Sequence, residues 1–205
     1  MRARDSFGEA MAAAWRLCLS ESVGAGDPLV VHEIAEASKL SATPVREALA
    51  WLAGQGLIER RVGRGYFTLN PSAADVAQLY DLHQRYLLWS LQSRHTPKRL
   101  EPAADVADVP ERIAWLFRCM ATSSGDAVLA DAQGRLAARL RLLRRAESET
   151  CRSDPVALTQ AETAYFAGAD DAAAVFVQRH HAERIHKAGE IAETLRPSPR
   201  NIAQI

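Results

Sequence analysis

Hydroxyl and guanidinium groups are concentrated in one short stretch, SATPVREALAWLAGQGLIERRVGRG, which covers residues 41–65. Its hydrogen-bond donors are Ser41, Thr43, Arg46, Arg60, Arg61 and Arg64. A guanidinium group can donate two parallel hydrogen bonds to a guanine edge, and it can also bind a phosphate. The chemistry that this stretch favours is therefore the binding of a nucleic acid duplex, not the making or breaking of a covalent bond.

Histidines form a second group of polar side chains, and two of them lie on apolar stripes at helical spacing. The stripes are Val76, Tyr80, His83 and Leu87, and Ala174, Val177, His181, Ile185 and Ala188. A histidine on an apolar face is more often a hydrogen-bonded core residue than a ligand contact, and both alternatives stay open for His83 and His181. We expect His180 and His186 to lie on a solvated face.

Catalytic motifs are absent from the sequence. It contains no H-E-x-x-H, no phosphate-binding glycine loop and no dinucleotide fingerprint, and no nucleophile is paired with a base. We therefore expect no catalytic residue and no cofactor. The 25 basic and 25 acidic residues give a formal net charge of zero, so that any nucleic-acid-binding surface must be local.

The cysteines and the hydropathy of the sequence predict in which cellular compartment the protein lies. Cys18, Cys119 and Cys151 lack C-x-x-C spacing, which predicts reduced thiols in a cytoplasmic protein. No stretch has the length and apolar character of a membrane span.

Three helices and a hairpin are predicted to position the arginine-rich stretch. We expect helices over residues 6–20 and over VHEIAEASK, and a third that begins near residue 42 with Ser41 or Thr43 as its cap and Pro44 in its first turn. LIERR and YFTL read as strands joined by the glycine turn VGRG. This order predicts a winged helix-turn-helix over residues 1–70.

The remainder, residues 71–205, is predicted to be an all-helical bundle, which makes the fold mainly α. Apolar periodicity places helices near residues 73–93, 109–122, 126–149, 154–168 and 170–195. The segment 93–110 contains three prolines and is predicted to be an irregular connection.

A winged helix-turn-helix suits duplex DNA. The helix that begins near residue 42 would enter the major groove by its N-terminus, where Arg46 can bind a guanine edge. The predicted hairpin forms the wing of this fold. Its arginines, Arg60, Arg61 and Arg64, can bind phosphates or enter the minor groove. The alternative for each arginine is a solvated face, with Arg46 paired to Glu47 or to another carboxylate.

The stretch SATPVREALAWLAGQGLIERRVGRGYF resembles the signature of GntR-type bacterial regulators, which commonly reads S-R-T-P-V-R-E-A-L and continues to a G-R-G wing. The resemblance covers residues 10–69 and implies a sequence-specific DNA-binding domain. It places at the DNA His32, Ser41, Thr43, Arg46, Arg64 and Gly65. The family's usual arginine two residues before the proline is Ala42 here, so one frequent DNA contact is missing.

The helical half resembles the FadR-like subfamily, whose helical FCD domain dimerises and binds effectors, often with a metal held by one aspartate and three histidines. The matching segments are QLYDLHQRYL, FRCMATSSGDAVL and AYFAGADDAAAVFVQRHH. In this alignment the metal ligands become Ala114, Arg118, Leu158 or Thr159, and His181 or His180. Because a cation replaces one ligand and only one histidine remains, we predict no metal site.

Two interpretations of the helical half follow from this resemblance. If His83, Arg118 and His181 point inward, they form a positive, metal-free pocket for a small carboxylate or phosphate. Otherwise the domain only dimerises. The predicted protein is a regulator, with repression usual in the family, that binds a near-palindromic operator as a homodimer. An enzyme and a protein-interaction module are the rival classes.

Overall fold

The computed structural model describes residues 2–93 and 108–196, with side chains from Ser6 onward. The first elements in chain order are α1 (Arg2–Leu19), β1 (Pro28–Leu29), α2 (Val31–Ser38), α3 (Ala42–Gly54), β2 (Ile58–Arg61) and β3 (Gly65–Thr68). The helices that follow are α4 (Ala73–Gln92), α5 (Val109–Ser123), α6 (Ala127–Arg141), α7 (Arg144–Thr150), α8 (Pro155–Ala167), α9 (Asp170–His186) and α10 (Ala188–Thr194). Most of the predicted connection 93–110 lies outside the described residues.

The chain divides into two compact units. Among the described residues, one unit contains 2–71 together with 192–196, and the other contains 72–93 together with 108–191. The C-terminal segment joins the first unit through the backbone, because the Ala25 N–H donates to the Leu195 carbonyl at 2.8 Å.

Helix α3 begins and packs as its sequence predicts. Ser41 is the N-cap in an extended conformation, and Pro44 lies in the first turn, where its missing N–H has no cost. The buried face of α3 consists of Val45, Ala48, Leu49 and Leu52. It packs against α1 and α2, which together form a helical core under the exposed side of α3.

The hairpin is part of a three-stranded antiparallel sheet with the order β1-β3-β2. Arg61 pairs with Gly65 at the end of the hairpin, and Gly63 and Gly65 have φ angles of 73° and 103°, values that favour glycine. The sequence did not predict β1, because a two-residue strand is too short to show alternation. Its pairing places Asp27 beside Thr68, whose hydroxyl accepts from the Asp27 N–H at 3.0 Å.

The second unit is a helical bundle around one apolar core. Helix α4 packs on α5, α6 and α9, and α8 packs on α9. Aspartates begin three of these helices, since Asp108, Asp126 and Asp154 each accept a backbone N–H of the first turn. The fold is therefore mainly helical, with an N-terminal winged helix-turn-helix followed by a helical unit.

Two predicted helices are each interrupted. The helix expected over 126–149 breaks after Arg141, where Leu142 and Leu143 donate to carbonyls three residues back in a tight turn. The helix expected over 170–195 ends at His186 and restarts at Ala188. Apolar periodicity runs through both breaks, and only the second has a stop signal in the sequence, Gly189 two residues after Lys187. The first break frees α7 to bring Glu147 to Tyr80 and Arg184.

Candidate nucleic-acid interface and a buried histidine network

The start of α3 exposes the polar residues predicted to contact DNA. Ser41, Thr43 and Arg46 are all exposed. The Ser41 hydroxyl forms no capping bond. Within the part of the chain that the structure describes, Arg46 has no ion-pair partner, Glu47 included. These groups are therefore available to an external partner at the positive end of the helix dipole.

The arginines predicted for the wing differ in whether the protein itself already binds them. Arg60 on β2 and Arg64 in the turn are exposed, as are Gly65 and, on α2, His32. Arg61 instead donates to Glu59 at 2.8 Å, and its guanidinium lies 4.2 Å from the centre of the Phe67 ring. The hydrogen bond between the two side chains raises the pKa of Arg61 and lowers the pKa of Glu59. Arg61 is thus already engaged by the protein.

In the helical unit, His83 and His181 meet in a chain of hydrogen bonds. His181 Nδ1 lies 2.6 Å from the Val177 carbonyl, so that this nitrogen must carry the proton. His181 Nε2 is then an acceptor, and His83 Nδ1 donates to it at 2.9 Å. His83 Nε2 in turn accepts from the Gln133 amide at 3.1 Å. Both rings are therefore neutral, each with its proton on Nδ1.

The pKa values agree with this assignment. Burial lowers the pKa of His83 to about 3, with a further contribution from His181. Burial likewise lowers the pKa of His181 to about 4. The low-dielectric surroundings favour the uncharged imidazole in each case.

Beside the two rings lies a cavity of about 70 Å³. Its polar lining consists of Tyr80, His83, Gln133, Arg141, Arg144, Glu147, Ser148, Ser153, His180, His181 and Arg184. Arg184 is 2% exposed and donates to Glu147, which also accepts from the Tyr80 hydroxyl at 3.1 Å. Arg144 pairs with Glu111. Arg141 also lies 3.5 Å from Glu111, and so each of the three arginines in the lining already has a carboxylate partner.

Two sequence expectations for this region differ from the structure. His180 was expected on a solvated face, but it lines the cavity and packs edge-on against Phe117, where burial lowers its pKa well below the usual value. Arg118 is exposed and does not line the cavity, so the structure brings His83 and His181 together without it. Arg118 is on the outward side of α5 because Phe117, its neighbour, occupies the inward side.

Sequence reasoning missed the groups that complete the network. Gln133 lies on the otherwise apolar stripe of Leu129, Leu136 and Leu140, a buried polar position that can be recognised from spacing. Glu147 gave no such signal, because it reaches the cavity only through the break between α6 and α7.

The donor set does not fit the metal that the FadR-like resemblance implies. His181 Nε2, the nitrogen free for coordination, already accepts from His83, and His83 Nε2 accepts from Gln133. Within residues 2–93 and 108–196, no three side chains of His, Cys, Asp or Glu converge in a metal-binding arrangement. In the same ranges, no helix is both long and apolar enough to cross a membrane.

A known protein family matches the first unit of the chain, and the match does not extend into the helical unit. Residues 16–68 match the family described as "Bacterial regulatory proteins, gntR family". No curated protein sequence matches the chain.

Solved structures match most of the chain at low identity. A transcriptional regulator GntR of Rhodococcus sp. RHA1 is 17% identical, with 89% of this chain and 96% of that chain covered and a TM-score of 0.68. McbR/YncC of E. coli is 14% identical, with coverages of 89% and 97% and a TM-score of 0.59. Lar of Listeria monocytogenes is 12% identical, with coverages of 87% and 95% and a TM-score of 0.53.

These likenesses concern the fold of most of the chain, whereas the sequence match concerns its first unit. The matched residues include α2, α3, the hairpin and every predicted DNA contact. The winged helix-turn-helix formed by residues 16–68 is therefore a GntR-family helix-turn-helix domain.

Proposed function

We propose that this protein is a sequence-specific DNA-binding transcriptional regulator of the cytoplasm, acting as a repressor. The observation that carries the proposal is the exposed, unpaired Arg46 beside Thr43 at the start of α3, in a domain of the GntR type. Among the structural neighbours, Lar is described as controlling the expression of the Listeria agr system, which supports a regulatory role for this fold.

In this proposal α3 enters the major groove by its N-terminus. Arg46 binds a guanine edge, a contact worth about 1–3 kcal/mol of discrimination. Phosphates are bound by the groups around it: His32, Ser41, Thr43, Arg60, Arg64 and the backbone at Gly65. Arg61 would bind a phosphate only after leaving Glu59, with which it is paired in the free protein.

Selection of bound fragments from a random DNA pool, followed by sequencing, tests the proposal. Wild-type protein should enrich a short near-palindrome, and Arg46→Ala should lose preference at one position of each half-site. Arg85→Ala is the matched control, since Arg85 is exposed but pairs with Asp81 on α4 of the other unit. A protein-interaction module or an enzyme would enrich no sequence, and equal preference in Arg46→Ala would contradict the role of that arginine.

We also propose that the protein is a homodimer, because a two-fold protein matches two half-sites. The exposed side of α4 supports self-association, since Leu82 and Trp89 are 41% and 58% exposed. Sedimentation of wild type and Trp89→Glu distinguishes the alternatives. The proposal predicts a dimer that weakens in the variant, and a wild-type monomer at high protein concentration would contradict it.

The helical unit, in our proposal, is a FadR-like effector domain that binds a small organic acid. Its cavity of about 70 Å³ has room for about five water molecules, which is the size of a short carboxylic acid. In this proposal the acid competes with Glu111 for Arg141 and Arg144, and His83 and His181 also line the cavity. Arg118 has no part in this site. The alternative is a domain that only dimerises.

Thermal-shift measurements with short carboxylic acids test the effector proposal. An acid that binds should raise the melting temperature of wild type, and Arg144→Ala should reduce this shift because Arg144 lines the cavity. Arg118→Ala, a change of the same type outside the cavity, should keep the shift. If no acid stabilises the wild type, the helical unit does not sense this class of ligand.

A further inference from the structure

The exposed side of α3 has one long side chain at its centre. The residues Thr43, Glu47, Ala50 and Gly54 follow one another at spacings of four, three and four, and so they form a single stripe. All four are exposed. Arg46 and Trp51 flank this stripe on opposite sides.

The other residues of the stripe have short side chains, although the packing within the protein leaves space for larger ones at Gly54. A methyl group added at Gly54 would meet no heavy atom within 4 Å among the described residues. Ala50 and Gly54 therefore allow the helix backbone to approach another surface closely. Within this stripe Glu47 has the longest side chain, while Arg46 lies to one side of it.

The carboxylate of Glu47 is also not engaged by the protein. It is exposed, and within residues 2–93 and 108–196 it has no hydrogen-bond or ion-pair partner, even though Arg46 is adjacent. A carboxylate is repelled by the phosphates on either side of a groove. If this stripe enters the major groove, the favourable position for the carboxylate is at the groove floor, where it can accept from a base amino group.

We infer that Glu47 is a specificity-determining residue that accepts a hydrogen bond from the N4 amino group of cytosine in the major groove. Carboxylates accept from cytosine N4, whereas guanine and thymine present acceptors that repel them in that groove. The inference rests on the proposed DNA-binding function and adds a second base preference to that of Arg46. It also assigns to Glu47 a negative role, since its charge lowers affinity for sequences that lack the cytosine.

Random-pool selection with wild type, Glu47→Ala and Glu47→Gln tests this inference. In Glu47→Ala one cytosine preference in each half-site should weaken by about fivefold or more. Affinity for unrelated DNA should rise, because a negative charge is removed. In Glu47→Gln the same position should shift towards adenine, which glutamine binds through N6 and N7. Glu36→Ala, which removes an exposed glutamate from α2, should leave every base preference unchanged.

The possible outcomes distinguish a failure of the Glu47 inference from a failure of the proposed DNA-binding function. If wild type selects a sequence and both Glu47 variants select the same one with equal stringency, Glu47 is only a solvated residue and the inference is overturned. If Glu47→Ala binds all sequences more tightly by one common factor, the inference is equally overturned. If wild type selects nothing, the proposed function fails first. Because Glu47 has no hydrogen-bond or ion-pair partner among the described residues, Glu47→Ala and Glu47→Gln should melt close to the wild-type temperature.

Discussion

At the scale of single residues, protonation is fixed by geometry in the helical unit. One backbone carbonyl, that of Val177, requires the proton on Nδ1 of His181, and this sets the tautomer of His83 through their shared hydrogen bond. A chain of neutral rings in place of a charged pair avoids the large cost of burying charge without a counterion. The same chain uses the nitrogen lone pairs that a metal would need.

This network predicts acid sensitivity. In the unfolded chain the histidines titrate near pH 6.5, whereas burial lowers the pKa of His83 to about 3 and of His181 to about 4 in the folded protein. Stability should therefore be full above pH 6.5 and fall as the pH drops towards 4, because protons bind the unfolded state preferentially. His83, His181 and also His180, whose pKa burial lowers well below the usual value, each change the free energy of unfolding by about 1.4 kcal/mol per pH unit where the unfolded chain is protonated and the folded ring is neutral. Urea unfolding between pH 7.5 and 5 measures the slope.

Substitution identifies which rings are responsible. His83→Asn should reduce the slope of stability against pH by about one histidine's share, even if the variant is less stable at pH 7.5. His186→Asn changes an exposed histidine of α9 and should keep the wild-type slope. A wild-type stability that is flat from pH 7.5 to 5.5 would contradict the buried neutral network.

At the scale of elements, the wing presents its arginines unequally. The hairpin register puts Arg61 opposite Gly65, and the guanidinium folds back over Phe67. Arg64 lies in the turn itself, between Gly63 and Gly65, which have positive φ angles. It is exposed and has no carboxylate partner among the described residues. The hairpin therefore binds Arg61 and exposes Arg64.

The wing predicts a specific effect of salt. Arg64→Ala should weaken DNA binding nearly uniformly across sequences, and it should reduce the slope of log affinity against log salt by about 1 for each bound protomer. Arg85→Ala removes an equal charge from α4 and should leave the slope unchanged. Binding measured at several salt concentrations checks both. An unaltered slope for Arg64→Ala would show that the wing does not touch phosphate.

The sequence predicted these elements well where caps, glycines and periodicity all agreed. Ser41, Pro44 and the glycine turn placed α3 and the hairpin to within a residue or two. Prediction failed where structure depends on distant contacts. The two residues of β1 pair with β3, from which more than thirty residues of chain separate them, and the break before α7 carries no glycine or proline.

At the scale of the whole molecule, the two units differ in how far their sequence identifies them. The first unit matches the family model along residues 16–68, the stretch that contains α2, α3 and the hairpin. No family model matches the helical unit, and the solved structures that cover most of the chain are only 12–17% identical to it, so that for this unit they show the fold alone. Its histidine pair could be predicted from apolar stripes, but Arg184 and Glu147 could not be assigned as partners without coordinates.

The most direct test of the central claim is the affinity of the full chain for its selected fragment and for a scrambled fragment, at several salt concentrations. We expect the selected fragment to bind at least about a thousandfold more tightly at physiological salt, with both affinities falling linearly on a log–log scale as salt rises. Equal affinity for the two fragments, or no binding to either in dilute buffer, would contradict the account.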